Sequence, residues 1–338
     1  MSITIKDIAM DTGLSVATIS KYLNNKPILS KNREVIAASI EKLHYIPNDS
    51  ARGLRSKRSH TIGIIIPTLN NSFWGTVLGY SEEELRLRGY SVICCSHEPN
   101  EESSKKTIRA LLDKKIDGAI LIPYSQEDCQ IISVLKDKIP CISLDHVLES
   151  ANIDAVTSAN YEGGYEAIKY LLSQGHRRIG ILAGPKNSYT AIERTRGALA
   201  ALRDAGIAPE SELIAYTEEF LTAEGQHSLE QIMNINRPPT AVFAVNYDIC
   251  IGALINSSMH NYRIPKDLSI VGFDDDIIFS SVRPGITVVN QNIKELGRQA
   301  ANLLLRRIEG DWNDYPSLIK IPASLITRDS VCNLKERL

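Results

Sequence analysis

From Thr61 onward the chain repeats one texture, and that texture narrows the folds open to it. Short runs of apolar, β-branched residues alternate with longer amphipathic stretches. Strands are expected at 62–66, 91–95, 119–122, 141–144, 179–183, 241–245 and 270–273. A strand without a polar face has to be covered on both sides, so these runs call for parallel sheets sandwiched between helices. Pro67, Pro123, Pro140 and Gly184 fall at the ends of the runs, where the ligand-facing loops of such sheets lie. There are too many strand and helix units here for one compact sheet. The pattern therefore predicts two doubly wound parallel-sheet lobes of similar build, and 338 residues leave room for a further small domain.

The first sixty residues have helical periodicity and no strand pattern. Thr4 with Asp7 forms a capping-box pattern opening a helix, and Gly13 suits the turn that ends it. Ser15 caps a second helix at 16–23. A third follows Ser30, runs to about Leu43 and is expected to bury Val35, Ile36, Ile40 and Leu43. Residues 1–60 carry ten Lys/Arg against five Asp/Glu, a net of +5, while the remainder nets −7. A basic head on an acidic body fits a polyanionic partner at one end only.

The cysteines, Cys94, Cys95, Cys129, Cys141, Cys250 and Cys332, make no C-x-x-C pair and mostly lie in apolar runs, as reduced and largely buried thiols do. The opening MSITIKDIAM lacks the apolar core of a secretion signal, and no run is long enough to span a bilayer. A cytoplasmic, nucleoid-associated protein with no membrane partner is the expectation.

Ordered motifs then give the head a more specific reading. T-I-x-D-I-A from Thr4, G-x-S-x-x-T-I-S from Gly13, L-N at Leu23 and Y-I-P-N-x-x-A-R-x-L from Tyr45 follow in sequence, and LITRDS closes the pattern near the C-terminus. In these motifs the whole chain resembles the LacI/GalR family of bacterial transcriptional regulators. The resemblance implies an all-α helix-turn-helix head at 1–47 and a hinge helix or linker at 48–60. It also implies an effector-binding and dimerisation core at 61–338, of the periplasmic binding protein type I kind. In that core the N-lobe takes about 61–160 plus 291–321, and the C-lobe about 161–290 plus 322–330.

A helix entering the major groove N-terminus first presents its early residues to base edges. Here those are Val16, Ala17 and Lys21. The family usually has arginine at the position of Lys21, and lysine lacks the planar donor fork. Thr4, Ser15, Thr18, Ser20, Tyr22 and Asn24 suit phosphate contact or the packing of the head itself. The resemblance implies that Asn48, Ala51, Arg52, Leu54 and Arg55 belong to a minor-groove hinge, with Leu54 as a wedge between central base pairs and Arg52, Arg55, Lys57 and Arg58 on phosphates.

In the body, PTLNNSFW resembles ribose-binding-type proteins: Asn71 or Asn70 can hydrogen-bond a hydroxyl, and Phe73 and Trp74 can stack on a sugar ring. Asp145 after CISLD, Arg194 in ERTRG, Asn246 after AVFAV and Asp274 after IVGF match the family's effector contacts. Gln291 sits where the chain should cross back between lobes. Carboxylates, amides and a guanidinium together suit vicinal hydroxyls. His146 and Tyr247 stand where the family often has arginine and aspartate, so no particular sugar carries over. Asp274, Asp275 and Asp276 lack the companions of a metal site, and no cofactor or catalytic residue is expected.

The expected protein is thus a repressor, a homodimer on pseudo-palindromic operator DNA, controlled by a sugar or sugar derivative that acts as inducer or corepressor. A sugar receptor without a DNA role would leave residues 1–60 idle. A cytosolic α/β enzyme would need a dinucleotide-binding glycine motif, a P-loop or a nucleophile elbow, and none is present.

Overall fold

The computed structural model describes residues 3–23, 26–45, 58–69, 71–96, 101–123, 129–148 and 150–337. The chain divides into two compact units, residues 1–59 and 60–338.

In the first unit α1 spans Ile5–Thr12, α2 Val16–Leu23 and α3 Ser30–Lys42. The capping-box expectation is met: the backbone N–H and the hydroxyl of Thr4 each donate to the Asp7 carboxylate at 2.7 Å. Gly13 ends α1 at φ +68°, a conformation that a Cβ would strain. Ser15 Oγ accepts from the Thr18 N–H at 3.2 Å and so caps α2. Ile8, Ile19 and Ile36 are fully buried at the meeting of the helices, with Leu14, Tyr22, Ile40 and Leu43 around them. Val35 departs from expectation and is 47% exposed. It lies about 100° around the helix from Ile36, so the inward stripe of α3 is Ile36, Ile40 and Leu43.

In the second unit the strands run in chain order as β1 (Thr61–Ile66), β2 (Ser91–Ser96), β3 (Gly118–Leu121), β4 (Cys141–Leu144), β5 (Asp154–Ser158) and β6 (Ile179–Pro185). They continue as β7 (Ile214–Thr217), β8 (Ala241–Ala244), β9 (Ser269–Phe273), β10 (Thr287–Gln291), β11 (Leu318–Ile321) and β12 (Ala323–Ile326). The helices are α4 (Ser72–Leu87), α5 (Glu101–Asp113), α6 (Cys129–Lys136), α7 (Asn160–Ser173), α8 (Tyr189–Asp204), α9 (Thr222–Met233), α10 (Tyr247–Met259), α11 (Ile277–Ser281) and α12 (Ile293–Glu309).

The strands form two six-stranded sheets, β11-β5-β4-β3-β1-β2 and β12-β10-β9-β8-β6-β7, with the same order of connection. Every pairing is parallel except β12 with β10. An apolar core lies on each face of each sheet, as the continuous apolar strands require.

All the expected strands form, with Ile122 just outside β3 and Val245 just outside β8. The sequence pattern missed β5, β7, β10, β11 and β12 (DAVTS, IAYT, TVVNQ, LIKI and ASLI) because these are short and interrupted by polar residues. The edge strands β7, β11 and β12 need no second apolar face, and β5 and β10 end where the chain changes lobe. Cys141 and Cys250 are buried, whereas Cys94, Cys95 and Cys332 are half-buried. Among the described residues no helix is long and apolar enough to cross a membrane.

The chain passes between lobes after β5, after β10 and after β11. These crossings are tied to one another: Ser158 Oγ donates to Gln291 Oε1, and the Ala159 N–H donates to the Ile321 carbonyl at 2.8 Å. In the N-lobe the fully buried Arg307 of α12 grips Asp154 of β5 through two bonds of 2.8 and 3.0 Å. Asp154 also accepts the Ser317 N–H at 2.7 Å and so holds the chain entering β11. In the C-lobe α7 and α8 touch backbone to backbone. A Cβ on Gly164 would stand 2.0 Å from the Arg194 carbonyl oxygen, and one on Gly197 would stand 1.9 Å from that of Tyr161. Gly197→Ala must push these helices apart, and is expected to lower the core's stability by about 1–3 kcal/mol or more, read as a lower midpoint in urea unfolding.

Candidate functional site

In the head, the side of α2 away from its core carries the residues expected to face bases. Val16 is 38% exposed, and Ala17 and Lys21 are exposed with it. Ala17 and Lys21 are one turn apart, so they share a face. The residues left between phosphate contact and packing divide. Tyr22 packs against the head's core with the Arg33 guanidinium 5.8 Å from its ring centre. The Ser15 and Thr18 hydroxyls bond each other at 2.9 Å, Ser20 is half-buried, and Thr4 is engaged with Asp7. Asn24, Asn48, Ala51, Arg52, Leu54, Arg55, Lys57 and Asn70 lie outside the described residues.

In the second unit a polar crevice forms where the lobes meet. Arg194, on the α8 helix that the glycine contacts hold against α7, is 3% exposed. Its Nε donates to Asn160 Oδ1 at 2.8 Å and its Nη1 to the Val245 carbonyl at 2.7 Å. Asp274 Oδ2 lies 3.7 Å from Nη1, and the guanidinium carbon stands 3.7 Å from the centre of the Phe273 ring. Burial pushes the guanidinium's pKa down, and Asp274 and then Asp145 oppose that shift. Burial also pushes the Asp274 carboxyl up, while Arg194 and the amide of Gln291, which donates to Oδ1, hold it down. Breaking such a buried pair costs about 3–5 kcal/mol because it strands a charge.

Asp145 and Asp274 occupy matching places in the two lobes. Each follows the last residue of its strand, β4 or β9, with φ of +70° and +71°. The N–H of each donates to the neighbouring strand, to Val156 at 2.8 Å and to Val289 at 2.9 Å. The common turn aims both carboxylates beyond the carboxyl ends of the strands, where ligands of doubly wound sheets bind.

The expected residues Asp145, Arg194, Asp274 and Gln291 are thus brought together. Asn246 comes to the same end of its sheet, but its side-chain oxygen caps α10, accepting from Asp248 and Ile249 at 2.8 and 3.3 Å. Asn71 caps α4 through Phe73 at 2.9 Å, and its amide reaches across to Asp248 at 3.4 Å. Ser72 makes a parallel contact to Asp276 at 3.4 Å. Phe73 and Trp74 meet edge to face at 4.7 Å and pack half-buried on the N-lobe core, so only part of each ring remains for stacking.

Sequence reasoning missed Ser158, Asn160, Tyr189 and Asp248. Asp248 carried a weak signal, as an acid in the first turn of a helix; the roles of the others depend on partners far away in the chain. Among the described residues no group of three or more His, Cys, Asp and Glu is placed to hold a metal ion.

A helix-turn-helix head joined to a two-lobed body of the periplasmic-binding kind defines a ligand-responsive DNA-binding protein. Residues 4–48 match the family described as bacterial regulatory proteins, lacI family, and residues 168–331 the periplasmic binding protein-like domain. The chain is 31% identical to the HTH-type transcriptional repressor PurR of Haemophilus influenzae, over 97% of this chain and 98% of that one. Among solved structures, the lac repressor dimer bound to operator and the anti-inducer ONPF superposes with a TM-score of 0.86 at 26% identity, covering 98% of this chain and all of that one (100%). A putative ribose operon repressor from Burkholderia thailandensis superposes at 0.73 with 26% identity, over 80% of this chain and 100% of that one. The chain belongs to the LacI family, and it is a DNA-binding transcriptional regulator.

Hydrogen bonds from Thr4 hold the Asp7 carboxyl below its ordinary pKa. A depressed carboxyl stabilises the fold above its unfolded pKa, and the contribution is lost as pH falls through the folded value. Acid titration of the head by circular dichroism should therefore show α1 weakening below the ordinary carboxylate range, and Asp7→Ala should remove that acid-sensitive component.

Proposed function

We propose that this chain is a transcriptional repressor whose operator affinity is set by a small sugar-like effector held between the lobes. The convergence of Asp145, Arg194, Asp274 and Gln291 where the chain crosses between lobes carries this reading. A hydrogen-bonding ligand in that crevice contacts both lobes at once, so it favours one arrangement of the lobes over another. Effector and operator then affect each other's affinity reciprocally.

Residues 1–47 act as the DNA-binding head, 48–60 as the hinge and 61–338 as the effector-binding and dimerisation core. The N-lobe takes about 61–160 plus 291–321, and the C-lobe about 161–290 plus 322–330. The working unit is a homodimer on a pseudo-palindromic site, in keeping with the lac repressor dimer on its operator. Val16, Ala17 and Lys21 read base edges in the major groove, while Asn48, Ala51, Arg52, Leu54 and Arg55 form the minor-groove hinge. In the crevice Asn71, Phe73, Trp74, Asn246 and Gln291 join Asp145, Arg194 and Asp274 around the effector. The protein works in the cytoplasm and catalyses no reaction; its relatives are repressors.

Two measurements test this reading by fluorescence anisotropy on labelled duplexes. Leu54→Ala should weaken operator binding by about tenfold or more while affecting random DNA much less, because only the specific complex repays the cost of kinking. Equal losses on both duplexes would remove the wedge. Asp274→Asn, which keeps the side chain's shape but not its charge, should abolish the effector-dependent change in operator affinity. An intact response would place the effector elsewhere.

A further inference from the structure

On the N-lobe wall of the crevice two adjacent side chains hold polar atoms without a partner among the described residues. Asp145 is 4% exposed and His146 is 5% exposed. Among the described residues, Asp145 Oδ1 and both ring nitrogens of His146 have no hydrogen-bond partner. The His146 Nδ1 comes within 3.5 Å of Asp145 Oδ2, but without the geometry of a hydrogen bond.

Three backbone groups beneath these side chains are engaged, the Asp145 carbonyl accepting from Thr157 Oγ1 at 2.8 Å. The Asp145 N–H is bonded to Val156, and the His146 carbonyl accepts from Ser143 Oγ at 2.6 Å. Buried polar groups without partners are uncommon, and on a rigid backbone facing a crevice they mark atoms that a ligand completes. The ring does face the crevice: its centre lies 6.2 Å from that of Tyr189, which opens α8 in the other lobe. Burial pushes the Tyr189 phenol up to about 12, so it faces His146 as a neutral hydroxyl.

The charges around the crevice limit what can enter. Asp145, Asp248 and Asp274 line it, with Asp276 beside Ser72 at its rim. Arg194 opposes them with one positive charge, its Nε and Nη1 donating to Asn160 and the Val245 carbonyl and its Nη1 standing 3.7 Å from Asp274. An entering phosphate or carboxylate would meet three carboxylates against one guanidinium that is already paired with Asp274.

Resting on the crevice reading above, we propose that His146 joins Asp145 as the recognition pair for an uncharged, polyhydroxylated effector, and that the crevice rejects anionic counterparts. Asp145 Oδ1 accepts from one hydroxyl of the ligand. A ring nitrogen of His146 bonds the adjacent hydroxyl, as donor or acceptor according to its tautomer.

Titration calorimetry on the full-length protein tests this with ribose, glucose, galactose and cellobiose set against ribose 5-phosphate, glucose 6-phosphate and gluconate. At least one neutral sugar is expected to bind, with its anionic counterpart weaker by about 100-fold. His146→Ala should weaken that sugar by about tenfold or more, and His146→Gln, which keeps a donor and an acceptor, should recover part of the loss. Circular dichroism of each ligand-free variant separates lost recognition from lost folding. The proposal is overturned by anionic probes binding as tightly as neutral ones, by no neutral sugar binding, or by both His146 variants staying within roughly threefold of the parent. Asp274→Asn distinguishes the wider reading. If it abolishes binding of an anionic probe, the crevice is the effector site and only the neutral-ligand assignment fails. If it leaves a bound probe's affinity intact, the crevice reading itself falls.

Discussion

A guanidinium out of contact with water has to be compensated by the protein around it, and Arg194 imposes that demand on the core. Asn160, the Val245 carbonyl, Asp274 and the face of Phe273 meet it, and they come from three different elements or their ends. Asp274 is in turn held by Gln291, and Gln291 by Ser158, both at points where the chain changes lobe. The charge that suits Arg194 to ligand chemistry is therefore wired into the crossings on which lobe movement would turn. Such a network favours sensing over catalysis: it offers hydrogen bonds and fixed charge, and a ligand that alters one member perturbs the rest.

The crevice also reflects the duplication of the fold. Two sheets of identical order place Asp145 and Asp274 at equivalent turns with the same left-handed backbone and the same bond to the next strand. Their environments then differ. Asp274 gains an arginine and an amide, whereas Asp145 keeps an oxygen, beside an imidazole, that has no partner among the described residues. One lobe's turn is compensated within the protein and the other's is not, and this asymmetry distinguishes two otherwise equivalent positions in a nearly symmetric fold.

Much of this was legible along the chain because the signals are local. Thr4 and Asp7 cap a helix within four consecutive residues, and Gly13 ends it in the conformation expected of glycine. The apolar runs named the interior strands, since a buried strand has no polar face. Strands β5 and β10 were not legible, because they spend polar residues on the crossings, and edge strands escaped because half their surface needs no apolar cover. Val35 was misassigned because a run of apolar residues does not by itself fix which side of a helix faces inward.

The sequence by itself determined that a basic helical head precedes a body of parallel sheets, and it named Asp145, Arg194, Asp274 and Gln291 as candidates. The head and the sheets follow from periodicity, capping and charge, which act between near neighbours; Asp145, Arg194 and Asp274 follow from the resemblance to the LacI/GalR family, and Gln291 from its place where the chain should cross between lobes. Only the tertiary structure decided that Arg194 is buried and paired with Asp274, that Asn246 lends its oxygen to a helix end, and that His146 stands near Tyr189 of the opposite lobe with no hydrogen-bond partner among the described residues. Burial and hydrogen-bond satisfaction depend on residues brought from distant parts of the chain, so they emerge only when both lobes are assembled.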